Sequence, residues 1–525
     1  MSLVRNFMSV GAATLASRVL GFLRDTLIAA ALGTGPVADA FVVAFRLPNL
    51  FRRLFAEGAF NAAFVPLYAR VLEAEGEGGA RRFAADVLAV LLVAVLAFSG
   101  LAMLAAPGLV WVLAPGFAAD PEKFGLATLL TRICFPYLAA MALIALMGGI
   151  LNAHRRFLAA ALAPVLLNLV LIAALLAALS AGLARTREAG IWLAAGVSLA
   201  GLAQLALVTV AVSRAGWAPR LVRPRWTPSV ARLLRLAVPG AIAGGIAEIN
   251  IVVGTMIASL SAGSVAFLYY ADRVYQLPLG LVGVAVGTVL LPEIARQLRA
   301  DREDLALAAQ NRSLEFAAVL TLPAAVALVV AAQPIVEVLF ERGAFGPQDT
   351  QATAEALLGF GYGLPAFVFV KVFAPGFFAR EDTRTPMVVG AVSVAVNVAL
   401  SLALYPVFEH VAIALATSAA GWVNALLLWG LLVRRGHWRA DGELEHRLPR
   451  IAGAAAAMGV VVWLLADLLE GWTGAENPLP VKLGALALLC GSGFVVFFAL
   501  AHLMGGVDLR RLRALVARER TAAAE

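Results

Sequence analysis

The sequence has little charge and few cysteines for a chain of 525 residues. Only 14% of the residues are charged, whereas 62% are hydrophobic and the mean hydropathy is +0.89. This much apolar surface exceeds what a soluble core of this length can bury, so the composition excludes an ordinary soluble globular protein. Cys134 and Cys490 lie singly in apolar runs, which argues against a disulfide framework or a cysteine metal site.

Long apolar segments with helical character recur along the whole chain. Because one crossing of the hydrocarbon needs about 20 residues, they predict an all-α polytopic membrane protein of about fourteen transmembrane helices. Arg18, Arg24 and Asp25 interrupt the first segment, so we interpret it as a span and not as a cleavable signal. The predicted spans are 7–32, 37–69, 83–107, 125–151, 157–181, 190–213, 232–260, 265–295, 310–332, 352–376, 385–404, 409–433, 449–469 and 481–505.

The basic residues alternate between the loops of this topology. If the N-terminus is cytoplasmic, most of the 41 Lys and Arg residues fall in cytoplasmic loops or in the C-terminal tail. The opposite loops then hold only Lys123, Arg185, Arg187, Arg342 and Lys482. Such an asymmetry predicts that both termini are cytoplasmic. The net charge of +8 is therefore mainly a topology signal, and it does not indicate a nucleic-acid partner.

An internal repeat relates the second and eighth spans. Ala38-Asp39 followed by Leu47-Pro48 is echoed by Ala271-Asp272 followed by Leu277-Pro278. A second echo pairs Gly149 and Asn168 with Gly376 and Asn397. Six spans separate the echoing helices, which is typical of parallel repeats in alternating-access transporters. The predicted division is an N-terminal lobe at 1–215, a C-terminal lobe at 216–435, and 436–525 with two further spans and a basic tail.

Basic side chains within the predicted spans carry the argument about function. A charge at the bilayer centre costs at least about 2.5 kcal/mol, so each needs a partner or a purpose. These residues are Arg18, Arg24, Arg46, Arg52, Arg53, Arg132, Arg273 and Lys371.

The acids near these cations are too few to neutralise them all. Asp25, Asp39, Glu57 and Asp272 can pair with part of the cluster, and internal pairing or snorkelling accounts best for Arg46, Arg53, Arg132 and Lys371. Surplus buried positive charge calls for an anionic ligand. Because guanidinium groups bind phosphate oxygens in a bidentate manner, a phosphate or pyrophosphate is the natural candidate.

Glu248 is an isolated acid in the seventh predicted span. It has two readings: a coupling-ion site, or an acid paired with a cationic partner. A membrane enzyme such as a polyprenyl-phosphate glycosyltransferase would instead need a catalytic acidic motif on a soluble loop. The short loops of this chain offer no such motif.

Several motifs resemble the lipid II flippases of the MurJ (MviN) family, within the superfamily that also holds multidrug and polysaccharide exporters. They are SRVLGFLRD from Ser17, ADAFVVAFRLPNLFRRLFAEGAF from Ala38, APGF from Ala114, YYADR from Tyr269, GTVLLP from Gly287 and APGFFAREDTRTP from Ala374. The resemblance implies a flippase, not an enzyme, that moves the lipid-linked peptidoglycan precursor across a bacterial inner membrane by alternating access.

The resemblance also implies a set of site residues. Arg18, Arg24, Arg52 and Arg273 match the essential cavity arginines of the family, and four further residues match other cavity positions, namely Ser17, Asp25, Asp39 and Glu57. Some members bind sodium between the seventh, eleventh and twelfth helices. Here the seventh span offers Glu248 and the eleventh offers Asn397, while the twelfth span lacks an acid. The implied partners are lipid II and membrane lipids. No cofactor is expected; the membrane potential is the expected driving force, and sodium or proton coupling stays open.

The alternative within transport is a drug or polysaccharide exporter of the same superfamily. A drug exporter for cationic substrates should have an acidic or aromatic cavity, whereas arginines dominate here. The sequence therefore favours the lipid-linked precursor as substrate.

Overall fold

A computed structural model describes residues 3–52, 60–474 and 476–507. Within these ranges, the side chains of 3–7, 51–52, 240–247 and 283–289 are not described.

The described part of the chain is helical throughout, as the hydropathy pattern predicts, and has no β-strand. The helices are α1 (Leu3–Leu32), α2 (Pro36–Arg52), α3 (Phe60–Leu104), α4 (Ala106–Leu113), α5 (Pro121–Cys134), α6 (Pro136–Ala153), α7 (Leu158–Ser180), α8 (Arg187–Arg214), α9 (Pro228–Ala258), α10 (Ser264–Arg299), α11 (Glu303–Val330), α12 (Ala332–Phe340), α13 (Pro347–Gly361), α14 (Leu364–Phe378), α15 (Arg384–Arg434), α16 (Gly442–Thr473) and α17 (Leu479–Leu503). A 3-10 helix, Pro115–Ala119, precedes α5.

Two of the long helices fold back on themselves. The backbone leaves helical geometry at Gly76 in α3 (φ 68°) and at Glu409 in α15 (φ 45°). Past the first break, the ring of Phe83 stacks on that of Phe64 at 5.7 Å between centroids. Past the second, the carbonyl of Ala420 accepts a 2.8 Å hydrogen bond from the Ser393 hydroxyl. Each of these helices therefore contains two antiparallel segments.

Nine helical stretches in the described residues are long and apolar enough to cross a membrane. The stretches Phe60–Leu104 and Arg384–Arg434 count once each in that number, although each folds back. A multi-pass membrane protein is thereby confirmed. The number fourteen stays a prediction.

Polar caps and prolines set where several helices begin. Asp120 accepts hydrogen bonds from the backbone N–H groups of Glu122 and Lys123, both at 3.1 Å, at the start of α5. Thr227 does the same for α9, and Asp441 for α16. Side-chain oxygens at these positions satisfy backbone donors that the first helical turn leaves unpaired.

The same order of elements occurs twice along the chain. Helix α3 is followed by the short helix α4, the broken pair α5 and α6, and then α7. Helix α11 is likewise followed by the short α12, the broken pair α13 and α14, and then α15. The packing partners also correspond, since α6 packs on α3 as α14 packs on α11. This order agrees with the repeat that the sequence echoes predict.

The chain divides into two compact units. Unit 1 comprises Met1–Ala266 and Arg342–Gly346, and unit 2 comprises Phe267–Glu341 and Pro347–Glu525. Unit 1 has a core around Phe64, Tyr68 and Ile150, and unit 2 has one around Val372 and Leu428. The lobe boundaries at 215/216 and 435/436 stay predictions about the parts of the transporter.

Segment 342–346 is held within unit 1 by backbone hydrogen bonds. The N–H of Ala344 donates to the carbonyl of Ala30 at 2.8 Å, and the guanidinium of Arg185 donates through Nε to the carbonyl of Ala344 at 3.1 Å. Gly33 and Gly343 both have positive φ, 63° and 59°, on the two sides of this junction. A Cβ atom at either glycine would lie 2.5 Å from a facing carbonyl oxygen. Glycine is therefore required at both positions.

Candidate functional site

Arg24 is buried inside unit 1 and is held from two directions. Its side chain lies in α1 and donates through Nε and Nη2 to Oδ1 of the adjacent Asp25, at 3.0 and 2.7 Å. Its Nη1 donates to Oδ1 of Asn168 in α7 at 2.8 Å. Arg24 is 8% exposed and Asp25 3% exposed. The acid balances the buried positive charge, and the amide fixes the direction of the guanidinium plane.

Asn168 also binds the backbone of α1. Its Nδ2 donates to the carbonyl of Ser17 at 2.9 Å and lies 3.5 Å from the Ser17 hydroxyl. One turn further along α1, Gly21 leaves room for this amide, because a Cβ there would lie 3.4 Å from Asn168 Nδ2. Arg18 follows Ser17 and is exposed on the surface of unit 1. The predicted residues Ser17, Arg24 and Asp25 therefore form one bonded group around Asn168.

Asp39 lies in the first turn of α2, is fully buried and is part of an ion pair. Its carboxylate accepts a hydrogen bond from Lys123 Nζ of α5 at 2.5 Å. It also accepts the backbone N–H groups of Gly263 and Ala266, each at 2.9 Å, where α10 begins. The Nζ of Lys123 lies over the ring of Phe117, 4.2 Å from its centroid. Asp39 thus joins α2, α5 and the start of α10 through one carboxylate.

The cations at the end of α2 are described only in part. Arg46 is half-buried and donates to the hydroxyl of Thr255 in α9. Arg52 closes α2, and its side chain lies outside the described set. Arg53 and Glu57 lie outside the described residues altogether. The predicted role of Arg52 and Glu57 in the cavity therefore stays a prediction.

Arg273 lies in α10 within unit 2. Its guanidinium carbon stands 4.7 Å from the centroid of the Tyr269 ring, one helical turn earlier. Such a cation-π contact orients the guanidinium without neutralising its charge. The neighbouring Asp272 accepts a hydrogen bond from Gln276, which also lies on α10.

The two residues proposed for ion coupling lie in different units. Glu248 is half-buried in α9, two residues before Asn250. Asn397 is buried in the first segment of α15, where its Oδ1 lies 3.5 Å from the hydroxyls of Ser401 and Thr417. Among the described residues, no group of three or more His, Cys, Asp or Glu side chains is arranged to hold a metal ion.

Two members of this arrangement are not predicted from the sequence. Lys123 is predicted to lie in a loop as part of the topology signal, whereas its side chain is 7% exposed and binds Asp39. Asn168 is predicted only as part of the internal repeat, although its amide binds both Arg24 and Ser17. The signal for Lys123 was the preceding Asp120-Pro121, which begins a helix there and so places the lysine in its first turn.

Span-length apolar helices with buried charged side chains define the class of a polytopic membrane transporter. The family model "Lipid II flippase MurJ" matches residues 28–479. The chain is 52% identical over 519 residues to a probable lipid II flippase MurJ of Rhizobium meliloti, covering 99% of this chain and 97% of the relative. It is 33% identical to a lipid II flippase MurJ of Burkholderia cenocepacia, covering 96% and 98%. The chain therefore belongs to the lipid II flippase MurJ family.

Solved structures agree on the fold. A lipid II flippase MurJ in an inward closed conformation superposes with a TM-score of 0.75 at 24% identity, covering 94% of this chain and 98% of that one. An inward-facing multidrug transporter of the MATE family has a TM-score of 0.65 at 16% identity, covering 80% and 95%. At these identities the likeness describes the fold alone.

Proposed function

We propose that this chain moves lipid II from the inner to the outer leaflet of a bacterial inner membrane and so serves peptidoglycan synthesis. The observation that carries the proposal is the match of residues 28–479 to the lipid II flippase family, with 52% identity over 519 residues to one relative. The buried arginine of unit 1 suits this substrate, because its pyrophosphate is an anion. Both termini are proposed to be cytoplasmic.

The proposed mechanism is alternating access. Arg18, Arg24, Arg52 and Arg273 bind the pyrophosphate, with Ser17, Asp25, Asp39 and Glu57 around them, and the headgroup is released on the other side. Support comes from Arg24, which Asp25 and Asn168 already hold in one orientation. A guanidinium oriented in advance loses less conformational entropy when it binds an anion.

The membrane potential is the proposed driving force. With the inside negative, moving one negative charge outward gains about 2.3 kcal/mol per 100 mV. Glu248 and Asn397 are the candidate residues for coupling to sodium or protons, and for Glu248 pairing with a cation is the alternative. If Glu248 couples an ion, Glu248→Gln should flatten the dependence of transport on the ion gradient and leave precursor affinity nearly unchanged. If it pairs with a cation instead, affinity should change and the ion dependence should persist.

Complementation tests the proposed function. Arg24→Ala and Arg273→Ala are expressed in bacteria depleted of their own lipid II flippase, and growth and precursor accumulation are measured. Wild type should restore growth, and both variants should fail at matched protein levels in the membrane. Arg132→Ala is the control, since Arg132 is exposed and donates to the carbonyl of Met103. Failure of the wild-type chain, or growth with both cavity variants, would contradict the proposal.

A further inference from the structure

Unit 1 contains an apolar groove between α3, α6 and α9. Its volume is about 380 Å³. Every lining side chain is hydrophobic, and the indole N–H of Trp226 is the one polar side-chain group among them. The lining residues are Phe60, Val87, Val90, Leu91, Ala94, Val95, Phe98, Leu138, Ala142, Trp226, Val230, Leu233, Leu234, Ala237 and Val238.

The groove has the depth of one leaflet. Its lining runs along α3 from Val87 to Phe98, which is about 16 Å at a rise of 1.5 Å per residue. Half of a bilayer's hydrocarbon thickness is about 15 Å. A groove of this length accommodates an extended hydrocarbon chain that enters from one surface and ends near the bilayer midplane.

Trp226 lies at one end of the groove, in the loop before α9. The second segment of α3, which follows the break at Gly76, begins at the same end of the groove. There, Arg81 Nη2 lies 3.9 Å from the position that a Cβ atom on Gly216 would take, and Gly216 is in the loop before α9. Trp226 is 72% exposed although it lines the groove. Tryptophan is enriched at the level of lipid headgroups, where the ring is apolar and the N–H is wet.

The segment around Trp226 is positively charged and lacks acids. Residues 189–247 contain no Asp or Glu. Six arginines lie there on the surface of the unit, and none forms an ion pair with an acid among the described residues. They are Arg214, Arg220, Arg223, Arg225, Arg232 and Arg235. Clusters of this kind next to the membrane attract anionic lipid headgroups.

We infer that the groove binds one acyl chain of an anionic phospholipid, whose phosphate is held by the arginines that precede Trp226. The lining selects a hydrocarbon chain, and the acid-free arginine segment selects an anionic headgroup. Arg223 and Arg225 are the closest of the six to Trp226 in the chain. The inference does not depend on which substrate the protein transports, because it concerns a surface outside the bonded group around Asn168.

Native mass spectrometry of the full chain in detergent tests the inference. The protein is titrated with dioleoyl phosphatidylglycerol and, separately, with dioleoyl phosphatidylethanolamine. We expect one phosphatidylglycerol molecule to bind at least five-fold more tightly than phosphatidylethanolamine. Equal binding of the two lipids would overturn the inference.

Two pairs of variants locate the site. Ala94→Phe places a ring in the groove, whereas Ala97→Phe places one on the exposed surface of the same helix. Arg223→Gln with Arg225→Gln removes charge beside Trp226, and Arg299→Gln with Arg302→Gln removes exposed charge elsewhere. The first member of each pair should weaken phosphatidylglycerol binding at least five-fold, and the second should leave it unchanged. Equal effects within both pairs would overturn the assignment.

Competition distinguishes the occupant from the substrate's own tail. Undecaprenyl phosphate is added to the complex with phosphatidylglycerol. If the groove binds a phospholipid, phosphatidylglycerol stays bound at equimolar undecaprenyl phosphate. Its one-for-one displacement, lost in Ala94→Phe, would show that the groove takes the polyprenyl chain and would contradict the inference.

Discussion

The amide of Asn168 connects Arg24 to the backbone of Ser17. Its oxygen accepts from the guanidinium at 2.8 Å, while its nitrogen donates to the Ser17 carbonyl at 2.9 Å. A single side chain on α7 therefore sets both the position of α1 and the orientation of its buried cation. In the proposed mechanism Asn168 is a positioning residue, because its only link to the pyrophosphate is through Arg24.

Replacing Asn168 should impair transport more than folding. A hydrogen bond to a charged group contributes about 1.5–3 kcal/mol, so Asn168→Leu should lower the transport rate about ten-fold or more. Asn168→Asp keeps an acceptor for Arg24 and should retain more activity than the leucine variant. Transport into reconstituted vesicles and thermal unfolding are measured side by side.

Gln204→Leu is the matched control for Asn168. Gln204 is a buried amide of α8 that bonds to no arginine among the described residues. The substitution Gln204→Leu should leave the transport rate near that of wild type. Equal loss in Gln204→Leu and Asn168→Leu would show that any buried amide of unit 1 matters equally.

The ion pair of Asp39 and Lys123 should stabilise unit 1. Lys123→Met removes the cation from a fully buried carboxylate, and breaking such a pair costs about 3–5 kcal/mol. Asp39→Asn should also destabilise, because the amide loses the charge-assisted bond to Lys123. The double variant should lose less than the sum of the two single variants, measured as unfolding free energies in detergent. Strict additivity would contradict a direct interaction between the two side chains.

Gly33 should be intolerant of a side chain, whereas its neighbour Gly35 should not. Gly33→Ala combines a positive φ with a Cβ placed 2.5 Å from the Ala344 carbonyl oxygen, and we expect a loss of about 1–3 kcal/mol. Gly35→Ala meets no atom within 4 Å and serves as the control in the same turn. Thermal unfolding of both variants checks this. Equal midpoints would show that segment 342–346 does not constrain Gly33.

Asp382 should confer a pH-dependent part of the stability. Hydrogen bonds from the Thr385 hydroxyl and N–H, together with the Arg435 guanidinium, hold the pKa of Asp382 below its ordinary 3.8. Asp382 lies in the loop between α14 and α15. Its contribution is complete above the ordinary pKa and is lost as the pH falls through the lowered native value.

Asp382→Asn should therefore lower the unfolding midpoint at pH 7, and the gap to wild type should shrink below about pH 4. Asp304→Asn is the control, because that carboxylate is 92% exposed and stands 3.7 Å from its partner Arg439. A gap for Asp382→Asn that does not change with pH would contradict the assigned cause.

The sequence predicts the helices better than it predicts their partners. Periodic apolar segments separated by prolines and basic loops place α7, α8, α16 and α17 close to the predicted spans, because lipid imposes the length of each. The folded-back helix α15 corresponds to two predicted spans, and α3 contains the end of the second predicted span and most of the third. Helix α4, by contrast, lies partly beyond the predicted third span, since its eight apolar residues are too few to register as a separate crossing.

Pairing in the site depends on contacts across distant parts of the chain. Asn168 is 144 residues from Arg24, and Lys123 is 84 residues from Asp39. Charge and hydropathy identify Arg24 and Asp39 as residues that need partners inside a membrane. They do not identify the partner, because a lysine near a helix start and an asparagine in an apolar helix have several ordinary explanations.

Lipid II translocation by the purified chain tests the central claim most directly. Full-length protein is reconstituted into vesicles that carry fluorescent lipid II in one leaflet, and the labelled headgroup reaching the other leaflet is followed over time. Wild type should move lipid II much faster than protein-free vesicles, and folded Arg24→Ala should fall close to the protein-free rate. Movement by wild type at the protein-free rate, or full activity of Arg24→Ala, would contradict an arginine-dependent lipid II flippase.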